Sequence, residues 1–121
     1  MAYTHMYDVH NRIILVVQSG TQNHYKEMLD WMSIVRADPG FDRKYGLLCD
    51  FREGTVQLSS TDAYTCGTML REFFAGQKIA FVVPDGLRTM VEMLVLAIQS
   101  AAQLRSFSGM QAAENWLGAP G

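Results

Sequence analysis

Positive charge is sparse in this sequence and nowhere clustered. Ten Lys and Arg residues stand against twelve Asp and Glu, for a formal net charge of -2. Phosphate backbones are bound by grouped cations, so the composition argues against a nucleic-acid partner. Cysteine is scarce too. Cys49 and Cys66 make neither a disulfide framework nor a zinc or CxxC spacing, and Cys49 sits in an apolar run, where a thiol behaves as a small hydrophobe. A reducing, cytoplasmic setting is expected. Long apolar runs are missing as well. The longest, "MVEMLVLAI" (Met90 to Ile98), is too short to span a bilayer and contains Glu92. "MAYTHMYDVHNR" has no apolar centre of the signal-peptide kind. A soluble protein without stable membrane insertion is the expectation. His5, His10 and His24 show no ligand spacing, so no metal is expected, and "GTVQLSS" lacks the GK[ST] of a phosphate loop. No histidine follows Cys66 in the chain to serve as its base, and no cofactor is implied.

What the sequence does contain is a regular alternation. The chain has 121 residues, 49% hydrophobic and 18% charged, the size and balance of one domain covering 1–121. "MYDVHNRIILVVQSG" reads as a hairpin, with His10, Asn11 and Arg12 at the turn and Asn11 suited to a left-handed conformation. Its first arm, about 2–9, has the mixed polarity of an edge strand. Its second, 12–18, is a near-continuous Ile/Leu/Val run, as in a strand covered on both faces. From Thr21, a candidate N-cap, to Ala37 the period becomes helical, with Tyr25, Met28, Leu29, Met32 and Val35 on one face. "ADPG" stops that helix. "YGLLCDF" is the next strand and "REGTVQL" a loop. Ser59 or Ser60 opens a helix over about 61–75, with Asp62 completing a capping-box pattern and Tyr64, Met69, Phe73, Ala63 and Gly67 facing inward. "KIAFVV" is a fourth strand. Leu87 to about Gln103 is a long helix with Leu87, Met90, Val91, Leu94, Val95 and Ile98 inward, and with Arg88 and Glu92 spaced to pair. "LRSFS" is a short fifth strand. Ser108 and Gln111 form a capping box for a last helix carrying Met110, Ala113 and Leu117 inward and Trp116 at the flank. The order β-β-α-β-α-β-α-β-α predicts an α/β fold: a mixed five-stranded sheet covered by helices, largely parallel with one antiparallel edge.

The hairpin "YDVHNRIILVV", the strand "YGLLCDFRE", the paired serines before a helix, "KIAFVVPDG" before a long helix, and the close "RSFSGMQAAENWL" together resemble a SpoIIAA-like (STAS) domain. The similarity is to the small uncharacterised STAS/Sec14-like branch and spans roughly 7–117. The resemblance implies a non-enzymatic interaction or regulatory module. Family members that regulate sigma factors carry a phosphorylatable serine at the start of the helix after the third strand, which corresponds here to Ser59 or Ser60. The usual close grouping of acid, serine and glycine is replaced by "LSSTDAYTCG", with Asp62 and Gly67 differently spaced. The Sec14-like comparison implies an apolar ligand, although the added helical gate of those larger proteins is absent.

Two sets of candidate site residues follow. Asp50 and Arg52 end a strand, where α/β sheets bind ligands near a topological switch. With Ser59 and Ser60, whose backbone N–H groups would favour a phosphate, they form an interaction or phosphate-site candidate. The second set is apolar. The long helix is apolar almost all round, so Met90, Met93 and Leu96 are candidates for an interface or a ligand wall. Covering them predicts a homodimer, with a regulatory protein as further partner. The alternative is a small carrier or sensor of an apolar, lipid-like ligand in a Met-lined pocket.

Overall fold

In the computed structural model, which describes residues 3–22, 25–98 and 102–119, the chain opens with the expected hairpin. Strand β1 (Tyr3–Asp8) runs antiparallel to β2 (Ile13–Gln18). The left-handed residue of the turn is Arg12, at φ 56°, not Asn11. Asn11 donates through both its backbone N and its Nδ2 to the Asp8 carboxylate, at 3.1 and 2.8 Å. That tie holds Asn11 over the turn and leaves the reversal to its neighbour. Ala2 and His24 lie outside the described residues.

After β2 come β3 (Gly20–Gln22), α1 (Tyr25–Ala37), β4 (Gly46–Asp50), β5 (Gly54–Val56) and α2 (Ser60–Phe73). They are followed by β6 (Lys78–Val82), a 3-10 turn (Asp85–Leu87), α3 (Arg88–Ile98), β7 (Gln103–Phe107) and α4 (Met110–Gly118). The main sheet has five strands in the order β1-β2-β4-β6-β7, parallel except for β1. This is the mixed five-stranded α/β sheet that the pattern of runs predicts.

Helices cover the sheet unequally. Met28, Trp31 and Met32 of α1, Leu70 of α2 and Leu94 and Ile98 of α3 share one core with Ile14, Leu47, Cys49 and Phe81. On the opposite face Ala113 of α4 packs with Ile13, Leu48, Ala80 and Val82, flanked by Trp116 and Leu117. Alternate residues of β2, β4 and β6 thus feed two cores, which is why these strands read as unbroken apolar runs.

Four local expectations are corrected. "REGTVQL" is not all loop: β5 pairs in parallel with β3 as a second, two-stranded sheet, so Thr21 is a strand residue and not a helix cap. Gly20, at φ +76°, turns the chain from β2 into β3, and such short polar strands exist only through their pairing. The inward side of α2 is Ala63, Cys66, Gly67 and Leu70, with Tyr64 exposed. On α3 the buried residues are Val91, Leu94, Ala97 and Ile98, whereas Val95 faces out, and Arg88 pairs with Asp85 at 3.4 Å instead of with Glu92. The predicted continuation of this helix over 99–101 lies outside the described residues, and Gln103 already belongs to β7. Finally, Gly109 and not Ser108 is the N-cap of α4, without a side-chain bond, while Gln111 donates to Asn115 Oδ1 at 3.0 Å.

Candidate functional site

Asp50 closes β4 and is nearly buried, at 6% exposure. Its Oδ1 accepts from Arg52 Nε at 2.9 Å and from the Arg52 backbone N at 3.1 Å, and its Oδ2 accepts from Arg52 Nη2 at 3.0 Å. The guanidinium holds the Asp50 carboxyl below the ordinary carboxylate range against the opposing pull of burial, and the Arg52 pKa rises in return. Both carboxylate oxygens are thus engaged two residues away, and the pair works as a clamp on the chain leaving β4. The topological argument for a ligand here does not hold either. β2, β4, β6 and β7 are neighbours in chain order, and the three helices that connect them pack into the same core, so these strands contain no reversal that would open a crevice.

Ser59 and Ser60 play different parts. Ser59, at φ -66° and ψ 163°, caps α2: its Oγ accepts from Asp62 N at 3.1 Å. Ser60 begins the helix, is exposed, and its hydroxyl has no hydrogen-bond partner among the described residues. Both serines line a groove of about 220 Å³ between the start of α2 and the segment entering α3. Across it stand Leu87, Thr89, Met90 and Met93. The tertiary structure therefore joins the serines to two of the three apolar candidates. Leu96 lies elsewhere, in the grooves between α3 and β7. Asp50 and Arg52 line none of these grooves. Gln57, Leu58 and Gly86, which the sequence reading did not single out, line the serine groove together with Ala63. The turn signal "PDG" before α3 was the available hint to Gly86.

Both cysteines and His5 are committed elsewhere in the fold. Both cysteines are buried; burial pushes the Cys66 thiol up to about 12 and the Cys49 thiol well above its ordinary value. His5 Nε2 meets Asp38 Oδ2 at 2.8 Å, tying β1 to the residue after α1. Among the described residues no cluster of three or more His, Cys, Asp or Glu could hold a metal ion. No described helix is long and apolar enough to cross a membrane.

The sheet order, with one antiparallel edge, three helices on one face and one on the other, has a counterpart among solved structures. Superposition on the crystal structure of an uncharacterised DUF3478-family protein from Shewanella loihica PV-4, described as having a SpoIIAA-like fold, gives a TM-score of 0.60. The two share 16% sequence identity over 96% of this chain and 92% of that one. The fold is SpoIIAA-like. No protein-family model matches the sequence, and no curated protein matches it. In SpoIIAA-like terms the serine groove lies at the N-terminus of the helix that follows the third main-sheet strand.

Proposed function

We propose that the chain is a single SpoIIAA-like (STAS) domain, cytoplasmic and non-enzymatic, that docks a regulatory protein partner at the serine groove and works as a homodimer. The free hydroxyl of Ser60 beside Met90 and Met93 is the observation that carries this reading. An exposed hydroxyl at a helix N-terminus accepts a hydrogen bond or a phosphate without disturbing the fold, because Ser59 alone provides the cap. The two methionines beside it offer a wall that adapts to a partner side chain.

The test is photo-crosslinking from position Thr89 in the native host, in otherwise unchanged protein and in Ser60→Ala. One protein captured by the first and lost from the second, at equal thermal stability, supports the reading. Equal capture by both removes the serine from it. Intact mass of the purified protein shows in parallel whether Ser59 or Ser60 carries phosphate.

A second reading, a carrier or sensor of an apolar ligand, is favoured by the same methionines. The groove's volume of about 220 Å³ lies below the ~300–1,000 Å³ typical of ligand pockets, so a lipid-sized cargo would protrude. Met93→Glu would abolish ligand binding on that reading, and unchanged binding would remove it.

A further inference from the structure

The face between α3 and β7 sets an exposed apolar ridge beside a groove and carries charges of both signs. Leu96 is 65% exposed and Val95 46% exposed, side by side on a helix whose Val91, Leu94, Ala97 and Ile98 are buried. Leu96 and Val95 border two grooves, of about 660 and 580 Å³, which also share Leu104 and Arg105. An apolar ridge therefore stands directly beside a depression partly lined by Val91 and Leu104. A two-fold axis would place each ridge in the depression of the other copy.

The charges have the same property. Glu92 and Arg105 both line the larger groove, and neither has an ion-pair partner among the described residues. Arg105 is held in place by the Phe107 and Trp116 rings, each centred 5.6 Å from its guanidinium carbon. A cation held on aromatic rings and an acid lining the same groove give the face charges of both signs, which an isologous contact can use twice. β7 adds continuity: among the described residues it is the last strand of the sheet and pairs only with β6, so the face reaches an open edge.

We infer that this chain pairs with a second copy through the α3–β7 face, centred on Leu96, Val95, Glu92 and Arg105, and not through the Met90–Met93 groove. The inference rests on the homodimer part of the proposed function and names its surface. It leaves the serine groove free for a different partner.

Sedimentation equilibrium of the full chain and of its variants tests it. The unchanged protein is expected to dimerise. Leu96→Asp and Glu92→Arg should each raise the dissociation constant by roughly tenfold or more. Glu92→Arg combined with Arg105→Glu should restore pairing, because the charges are exchanged and not removed. Met93→Glu, and Met6→Asp on the far edge of the sheet, should leave the dimer intact. Leu96 and Glu92 are exposed, and circular-dichroism melts should confirm that their variants remain folded. An unchanged protein that stays monomeric overturns both the homodimer reading and this inference. A dimer that survives Leu96→Asp and Glu92→Arg overturns the face alone, as does one split by Met93→Glu or Met6→Asp.

Discussion

A Cβ placed on Gly67 would stand 2.5 Å from the Cβ of Ala97 and 2.9 Å from the Leu94 carbonyl oxygen. Helices α2 and α3 touch at this point, backbone nearly against side chain. The absence of a Cβ at 67 sets their spacing, turns Ala97 inward and leaves Val95 and Leu96 on the outer side.

Gly67→Ala should therefore destabilise the fold by about 1–3 kcal/mol, even though alanine is the better helix former. Urea denaturation measures the change. Combining it with Ala97→Gly should recover only part of the loss, since the Leu94 backbone still obstructs the new methyl. A single variant as stable as the unchanged protein would show that the two helices can separate without cost.

The paired serines should behave differently. Ser59→Ala removes the oxygen that accepts from Asp62 N and should cost ~1 kcal/mol. Ser60→Ala removes no hydrogen bond among the described residues and should lie within about 0.5 kcal/mol of the unchanged protein. Thermal melts of the two variants distinguish cap from free hydroxyl, and equal losses would contradict the assignment.

The Asp50–Arg52 clamp should give stability a signature in acid. The folded carboxyl is held below its unfolded value of about 3.9. Its contribution is therefore fully present above that value and is lost as pH falls through the lower, folded value. Asp50→Asn should be less stable by about 1 kcal/mol at pH 7, where the charge-assisted bonds are intact. The gap to the unchanged protein should narrow steadily below about pH 4. Urea midpoints of both proteins at pH 7, 4 and 3 measure it, and a gap independent of pH would deny the clamp.

Both thiols should be silent in the folded state. Cys49 and Cys66 are buried with raised pKa values, so a thiol reagent at pH 8 should label neither until denaturant is added. Rapid labelling of Cys66 in the native protein would reveal an opening between α2 and its neighbours.

Native mass spectrometry of protein taken gently from its host bears on several questions at once. A clean dimer supports the interaction reading. A dimer with extra non-covalent mass favours the carrier reading. A phosphate on Ser59 or Ser60 makes the serine groove a switch.

The sequence by itself determined the elements whose residues carry their own signal. The runs at 13–18, 46–50 and 78–82 are apolar on both alternations, because two cores need them so, and they announced a covered parallel sheet. A cap at Ser59 or Ser60 was legible from the acceptor three residues before Asp62, and the structure assigns it to Ser59. Tertiary structure decided whatever depends on residues distant in the chain. β3 and β5 are three residues each and have no period to read; each is a strand only because the other lies alongside. Periodicity within α3 already put Val91, Leu94 and Ile98 inward, but that Ala97 and not Val95 joins them goes with the close approach of Gly67, a contact the helix's own sequence does not encode. The grouping of Ser60 with Met90 and Met93, and the separation of Leu96 from them, arose in the same way. A helix that is apolar all round states that it will be covered, and only its neighbours in space determine by what and on which side.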